Sequence, residues 1–351
     1  MSQFYTLKIQ AIERLTNKSV KLTFEIPEAL KQEFSFKAGQ YITLKTTING
    51  NELRRDYSIC SSVGSGDLSI SVKAIENGTF SNYANTKMQV GESIEVMPPN
   101  GRFTFEPHAD KTRTIAAFAA GSGITPILSI AKTLLEDEPF SNFILVFGNK
   151  TPEETMFFEQ LQQLKSRYGN RLHIQYVYSA ARAENALFGR IEKSTVNLIL
   201  KNKYKDVTIE SFYLCGPEEM IETVKSVLTE NNIKPKQILF ELFTASAITE
   251  TPITEGVEGE TKIKILVDDE ETEFTMSQSQ TILEAALKQN VDAPYSCQGG
   301  ICSSCVARLT EGTAKMRQNN ILTESEVAEG LILTCQAQPT SPVVFVDYDD
   351  I

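Results

Sequence analysis

The sequence has very few of the residues that bind catalytic metal ions through nitrogen. Its 351 residues include only two histidines, His108 and His173. Neither belongs to an E-x-x-H or H-E-x-x-H helix pattern, so the chain has no ligand set for a di-iron or zinc catalytic site of those kinds. We therefore do not expect this chain to activate oxygen at such a centre by itself.

Long hydrophobic runs are also missing. No stretch approaches the roughly 18 uninterrupted apolar residues of a membrane span. The N-terminal residues Met1–Thr6 include no basic segment followed by an apolar stretch, as an export signal would require. We therefore expect a soluble cytoplasmic protein in which thiols stay reduced.

Basic residues are outnumbered, which argues against nucleic-acid binding. The formal net charge is −11, and residues 261–351 carry 14 acidic and 6 basic side chains. Such an acidic segment can attract a basic partner protein, or it can serve only the solubility of a small domain. The sequence leaves both interpretations open.

Four of the six cysteines lie near the C-terminus in a C-x4-C-x2-C pattern with a distant fourth member. They are Cys297, Cys302, Cys305 and Cys335. This spacing is typical of a plant-type [2Fe–2S] cluster. Gly299 and Gly300 permit backbone angles that let peptide N–H groups turn toward sulfur. A structural zinc site, the alternative, usually has paired C-x2-4-C knuckles, and here only Cys302 and Cys305 form a close pair.

The length allows two or three domains. Residues 1–107 predict a small antiparallel β-barrel, because short β-rich runs alternate with turns rich in Gly, Pro, Asn and Asp. Residues 108–243 alternate strands and helices, which predicts a doubly wound parallel sheet. Residues 244–260 contain no Lys or Arg and read as a flexible linker. Residues 261–351 form a third unit, in which Thr281 and Thr323 each begin a helix with a capping box.

More detailed predictions concern individual elements. In the barrel, the predicted strands are Tyr5–Ile12, Ser19–Ile26, Tyr41–Thr46, Asp67–Ala74 and Ser93–Met97. In the parallel sheet, they are Thr114–Ala120, Phe143–Phe147, Leu172–Tyr178 and Ser211–Leu214. The helices of that sheet are predicted from Pro126 onward, over Pro152–Arg167 and over Pro217–Asn231.

Two segments of the barrel carry groups that a flavin could use, although an Arg and a Tyr that flank a strand are usually only surface and core residues. Arg55-Asp56-Tyr57-Ser58, at the end of a probable strand, combines a guanidinium for phosphate, a flat aromatic ring and a hydroxyl donor. Gly78-Thr79-Phe80-Ser81-Asn82 predicts a turn that opens a short helix, whose free N–H groups and hydroxyls suit a pyrophosphate.

Two loops of the parallel sheet suit a second nucleotide. Gly121-Ser122-Gly123-Ile124-Thr125-Pro126 follows a strand and opens a helix, where N–H groups meet a phosphate. It lacks the third glycine of G-x-G-x-x-G, which argues against an ordinary Rossmann dehydrogenase. Cys215-Gly216-Pro217-Glu218-Glu219 opens another helix at the same sheet edge. Both loops can therefore line one crevice.

Residues 50–126, 211–220 and 295–337 together resemble the ferredoxin–NADP reductase superfamily with a C-terminal ferredoxin domain. Pro294–Cys302 and Gly330–Gln336 resemble the reductase subunits of phenylacetyl-CoA epoxidases. The resemblance implies FAD in the barrel, NAD(P)H on the α/β sheet and a [2Fe–2S] cluster in an α+β domain of the β-grasp type.

The resemblance also implies roles for single residues. Arg55 would bind the flavin phosphate, Tyr57 would stack on the isoalloxazine, and Ser58 would hydrogen-bond near flavin N5. The pyrophosphate, which favours FAD over FMN, would be held by Gly78, Thr79, Phe80 and Ser81. The NAD(P)H site would be lined by Gly121, Gly123 and Thr125, with Cys215 and Gly216 beside the nicotinamide. Glu241 and Phe243 would approach the flavin, and the predicted catalytic residues are Tyr57, Ser58, Cys215 and Glu241.

These modules predict one electron path. Nicotinamide releases two electrons together and a cluster accepts one, so the flavin must mediate. We expect the acceptor to be a separate oxygenase component, of the phenylacetyl-CoA epoxidase type, and NADPH to be the donor. Ser179 and Arg182 lie where a 2′-phosphate could be recognised, or they form only a solvated surface pair. Other acceptors remain open, namely a ring-hydroxylating oxygenase, a hybrid-cluster protein or a desaturase, as does a non-catalytic electron carrier.

Overall fold

The computed structural model describes residues 4–243 and 259–351. The predicted linker, residues 244–260, lies outside the described residues except for its last two positions. Contacts divide the chain into two compact units, one spanning Tyr5–Phe243 and the other containing residues 259–351. Within the described residues, no helix combines the length and apolarity needed to cross a membrane.

The first part of the larger unit is an antiparallel six-stranded sheet. Its strand order is β4-β3-β6-β1-β2-β5. A bridge between Ile59 and Ile70 joins the two outer strands, so the sheet closes into the predicted barrel. Alternate apolar side chains, such as Leu7, Ile9 and Leu22, fill the interior. Its elements are β1 (Tyr5–Thr16), β2 (Ser19–Glu25), β3 (Tyr41–Ile48), β4 (Asn51–Ser58), β5 (Leu68–Lys73), α1 (Thr79–Thr86) and β6 (Ser93–Val96).

The second part of this unit is a parallel six-stranded sheet with helices on both faces. Its order is β10-β9-β8-β7-β11-β12, and every neighbouring pair is parallel. The strands are β7 (Thr114–Ala120), β8 (Asn142–Asn149), β9 (Leu172–Tyr178), β10 (Ala186–Phe188), β11 (Ser211–Gly216) and β12 (Ile238–Leu242). The helices are α2 (Ile124–Asp137), α3 (Phe158–Tyr168), α4 (Lys193–Asn197), which continues as a π-helical turn, and α5 (Glu218–Glu230). The predicted fold class is confirmed.

One predicted helix was wrong at its start. The sequence predicts a helix over Pro152–Arg167, but α3 begins at Phe158. Residues 151–157 form turns, and Phe157 has a left-handed φ of 60° that a helix does not allow. Sequence patterns also missed β10, α4 and β12, because these elements are short or only partly buried.

Side chains bind the barrel and the parallel sheet to each other within the larger unit. The Ser129 hydroxyl on α2 donates to the Ser61 carbonyl, and Lys132 Nζ donates to the Cys60 carbonyl. Arg113 reaches from the start of β7 to the buried Glu138 carboxylate, and also to the Glu106 carbonyl. These contacts hold the two sheets in one geometry.

The smaller unit contains a mixed five-stranded sheet, and the longer of its two described helices packs against the core. Its order is β14-β13-β19-β15-β17, with a separate pair β16-β18. Ile282, Leu283 and Ala286 on the helix face the same core as Cys305 and Cys335. The elements are β13 (Glu260–Val267), β14 (Glu270–Ser277), α6 (Ile282–Lys288), β15 (Val306–Glu311), β16 (Ala314–Met316), α7 (Glu324–Ala328), β17 (Leu331–Leu333), β18 (Ala337–Pro339) and β19 (Val343–Asp347). Both predicted capping boxes, at Thr281 and Thr323, are present.

Candidate functional site

Three predicted catalytic residues from distant parts of the sequence meet where the barrel adjoins the parallel sheet. Ser58 ends β4, and its hydroxyl donates to Glu241 Oε2 at 3.0 Å. Glu241 lies on β12 directly opposite Cys215 on β11 in the parallel register. The side chains of Ser58, Cys215 and Glu241 are therefore close neighbours, although 183 residues separate Ser58 from Glu241 in the sequence.

Burial keeps this group of side chains uncharged at neutral pH. Burial raises the pKa of Glu241 to about 8, although the Ser58 hydroxyl partly opposes the shift. Burial also raises the pKa of Cys215 well above its usual value. At pH 7 the carboxyl therefore carries a proton and the thiol remains a thiol.

Tyr57 and Arg55 occupy the same strand as Ser58. Burial raises the pKa of the Tyr57 phenol, so the ring stays neutral. The ring packs against Phe80 of α1 at a centroid distance of 5.5 Å. Phe80 itself is only 2% exposed and belongs to the barrel core, so the Tyr57 ring rests against a buried, fixed ring. Arg55 Nη1 donates to the Arg54 carbonyl at the surface.

The turn before α1 is tight, and the helix that follows it begins without a side-chain cap. A Cβ at Gly78 would lie 2.3 Å from Ser81 Oγ and 2.5 Å from Ile75 Cγ1, so the turn is closed tightly around glycine. Among the described residues, no side chain caps the first turn of α1. The N–H groups of Thr79 and its neighbours are thus available for an anion such as a pyrophosphate.

The glycine loop after β7 lies directly against the end of β11. A Cβ at Gly123 would sit 2.1 Å from the Cys215 carbonyl oxygen and 2.9 Å from the Gly216 nitrogen. Only glycine allows this approach, which places the two predicted nucleotide loops side by side. Gly121 has a left-handed φ of 56°, and Thr125 closes the turn by donating to the Ser122 carbonyl.

Lys73 is a candidate residue that the sequence analysis missed. Its Nζ would lie 3.7 Å from a Cβ at Gly121, so an ammonium group faces the glycine loop from the barrel. Burial lowers its pKa, with the nearby Glu154 opposing the shift. No motif marks this lysine, because its proximity to the loop arises only from the packing of the end of β5 against the turn that follows β7.

The four cysteines form two pairs. Cys302 Sγ donates to Cys297 Sγ at 3.0 Å, and the Cys305 thiol donates to Cys335. The Cys302 thiol and the N–H groups of Gly299, Ile301 and Cys302 lower the pKa of Cys297 to about 6. The Cys305 thiol lowers the pKa of Cys335 in the same way.

This arrangement fits a two-iron cluster better than a single zinc ion. Two thiol pairs, each with peptide N–H groups directed at sulfur, match the needs of two irons with two thiolates each. The left-handed φ of Gln298 (52°) and Gly300 (69°) produces the tight loop that the sequence predicts.

Comparison with known proteins assigns a domain type to each of the three parts of the chain. Residues 6–105 match the Oxidoreductase FAD-binding domain, residues 118–226 the Oxidoreductase NAD-binding domain, and residues 265–340 the 2Fe-2S iron-sulfur cluster binding domain. The chain is 36% identical over 352 residues to one of the subunits of 1,2-phenylacetyl-CoA epoxidase from Escherichia coli (strain K12), covering 99% of both chains. The chain belongs to the ferredoxin–NADP reductase superfamily.

Two further members of this superfamily support the assignment. The ferredoxin reductase component of 3-ketosteroid-9-alpha-monooxygenase from Rhodococcus rhodochrous is 26% identical, over 99% of this chain and 97% of the relative. The solved structure of phthalate dioxygenase reductase is 25% identical with a TM-score of 0.60, over 98% of both chains. This superfamily member is therefore an NAD(P)H oxidoreductase with domains for FAD, NAD(P)H and a 2Fe–2S cluster.

Proposed function

We propose that this reductase supplies electrons from NADPH to a separate oxygenase component of the phenylacetyl-CoA epoxidase type. The observation that carries the proposal is the 36% identity to the Escherichia coli epoxidase chain over 99% of both sequences. Reductase components of other monooxygenases are also full-length relatives, at 26–28% identity, so other acceptors must be compared with the epoxidase component.

The proposed roles in the larger unit follow from the contacts of its residues. When bound, nicotinamide supplies an electron pair, FAD divides it, and the cluster carries electrons singly. Tyr57, supported by Phe80, offers a neutral ring surface beside the flavin site. Ser58 and the protonated Glu241 place a neutral hydrogen-bonding pair next to Cys215, which avoids a fixed negative charge where electrons arrive.

The proposed nucleotide sites divide the phosphates between two helix starts. The first turn of α1, with Gly78, Thr79 and Ser81, would hold the FAD pyrophosphate, and Arg55 would add a guanidinium. The loop Gly121–Thr125, with Lys73 above it, would hold the phosphates of NADPH. Gly216 and Phe243 would border the rings, and Phe243 is 36% exposed at the end of the unit.

NADPH is the proposed donor because a basic side chain follows β9. The Arg182 guanidinium lies over the Phe188 ring at 5.0 Å, and Ser179 follows the same strand. A guanidinium held on an aromatic ring suits a 2′-phosphate. Arg182→Ala should therefore raise the KM for NADPH by about tenfold or more and leave the KM for NADH nearly unchanged.

The proposed partner surface is the acidic C-terminal unit, residues 261–351. Its 14 acidic and 6 basic residues favour a basic patch on the oxygenase component.

We also retain the proposed boundaries, with a barrel at 1–107, a nucleotide domain at 108–243, a linker at 244–260 and a ferredoxin domain at 261–351. Limited proteolysis that cuts first outside residues 244–260 would contradict the linker.

The test is reconstitution with purified oxygenase components. The reductase, NADPH, dioxygen and the oxygenase component of a phenylacetyl-CoA epoxidase should together convert phenylacetyl-CoA to its epoxide, with one oxygen atom in the product and the other released as water. Mass spectrometry detects the epoxide. Cys335→Ser should lose this transfer while it still reduces ferricyanide from FAD, and Cys60→Ser, away from the cluster loop, is the matched control.

Two results would contradict the proposal. Efficient electron transfer to a ring-hydroxylating oxygenase, a hybrid-cluster protein or a desaturase, with none to the epoxidase component, would move the reductase to another acceptor. A purified chain without NADPH-dependent reduction of any acceptor would instead indicate a non-catalytic electron carrier.

A further inference from the structure

Gln336 connects the two thiol pairs through one buried side chain. It follows Cys335 directly and is only 2% exposed. Its Nε2 donates to the Gln298 carbonyl at 2.9 Å and lies 3.7 Å from Cys335 Sγ. The backbone of Gln336 is anchored as well, because its N–H donates to the Leu333 carbonyl and its carbonyl accepts from the Arg317 N–H. The amide group is therefore held at a defined place beside the cysteine loop.

The hydrogen bond to Gln298 also reaches Cys297. The Gln298 carbonyl and the Gly299 N–H belong to one planar peptide group and point in opposite directions. Because Gln336 holds the carbonyl, the N–H is directed at Cys297 Sγ, which it meets at 3.3 Å. Gln298 adopts a left-handed φ of 52° to present this peptide, a conformation that a residue with a side chain rarely takes unaided.

The other end of the amide has no partner. Among the described residues, Gln336 Oε1 is a buried atom without a hydrogen bond. A buried carbonyl without a partner is costly, so a hydrocarbon side chain of the same size would serve packing alone better. The Nε2 group is thus the part of Gln336 that the loop uses.

We propose that Gln336 is a positioning residue that raises the reduction potential of the cluster, by donating toward Cys335 and by orienting the Gly299 N–H toward Cys297. Hydrogen bonds to cluster sulfur stabilise the reduced, more negative state. The inference rests on the proposed assignment of the four cysteines as cluster ligands, but it does not depend on the identity of the acceptor.

A redox titration of the intact reductase, monitored by electron paramagnetic resonance, measures the reduction potential of the cluster. Gln336→Leu removes the donor and keeps the volume, and we expect a shift to a more negative potential together with a changed circular dichroism spectrum of the cluster. Gln336→Glu, which is isosteric, should shift the potential in the same direction. Gln338→Leu is the matched control, because the Gln338 amide donates to the Ser279 carbonyl instead, and its potential should equal that of the wild type.

The outcomes separate positioning from packing. An unchanged potential and spectrum in both Gln336 variants would overturn the proposal. Unfolding of both variants would also overturn it, because the residue would then be only structural. Loss of the cluster from both, with the melting of the chain unchanged and Gln338→Leu fully loaded, would overturn it as well, because Gln336 would then be needed to retain the cluster and not to set its potential. A wild-type chain that binds FAD but no iron would refute the cysteine assignment and the inference with it.

Discussion

The contact of Gly123 with the end of β11 provides the sharpest test of the nucleotide crevice. In Gly123→Ala, the new Cβ would lie 2.1 Å from the Cys215 carbonyl oxygen and 2.5 Å from its carbonyl carbon. Both are backbone atoms of an interior strand, so rotation of a side chain cannot relieve the clash. Ordinary contacts are about 3.5–4.0 Å, so the loop or the strand end must move by more than about 1 Å.

The size of the effect follows from that displacement. Overpacking in a closely packed region typically costs about 1–3 kcal/mol of unfolding free energy. A displacement of about 1 Å at a positioning element reduces turnover by about 100-fold. We therefore expect Gly123→Ala to melt at a lower temperature, and the loss of its NADPH-dependent flavin reduction to exceed any loss of FAD or cluster content.

Stopped-flow reduction of the flavin over a range of NADPH concentrations measures this effect. Gly64→Ala is the matched control, since its Cβ would meet nothing closer than Glu136 Oε2 at 3.8 Å and its φ is not left-handed. Wild-type melting and wild-type flavin reduction in Gly123→Ala would refute the argument that this loop requires glycine in order to lie against β11.

Three further predictions concern stability. Arg113→Met should cost about 3–5 kcal/mol because it leaves the buried Glu138 carboxylate unpaired. Burial would raise the pKa of Glu138, but hydrogen bonds from Arg113, Ser141 and the His108 N–H hold it below the usual value. The wild type therefore keeps this contribution above the unfolded pKa and loses it as pH falls through the folded pKa. Denaturant unfolding should show that the difference in unfolding free energy between the wild type and Arg113→Met becomes smaller as the pH is lowered. A difference that does not change with pH would contradict the pairing of Arg113 with Glu138. Because the pKa of Glu241 is raised to about 8, the flavin-free wild type should lose stability as pH rises from about 4.5 to about 8, by at most about 5 kcal/mol, relative to Glu241→Gln. Parallel melting profiles between pH 5 and 9 would contradict this. Thr281→Ala should lower the unfolding free energy of the C-terminal unit by about 1 kcal/mol, because Thr281 Oγ1 accepts from the Glu284 N–H at 3.3 Å. Unchanged thermal unfolding would contradict a role for the cap.

Local sequence determined the features that depend on neighbouring residues. The spacing of Cys297, Cys302 and Cys305 with its glycines predicted a tight loop, and the structure forms it with left-handed angles at Gln298 and Gly300. Thr281 and Thr323 predicted two helix starts, because a capping box closes within four residues. The fold class followed in the same way from strand and helix periods.

Tertiary structure alone decided which distant residues meet. Ser58 contacts Glu241 across 183 residues, because closure of the barrel presents the end of β4 to the last strand of the parallel sheet. Lys73 faces Gly121 only because the end of β5 packs against the turn that follows β7. Gln336 reaches Gln298 only because β17 and the cysteine loop share one core. The late start of α3 has the same origin, since Phe157 is buried in the core at a left-handed φ that local propensity disfavours. Contacts between distant residues depend on packing energies that no short segment contains, so the sequence named the chemical groups and the fold decided their neighbours.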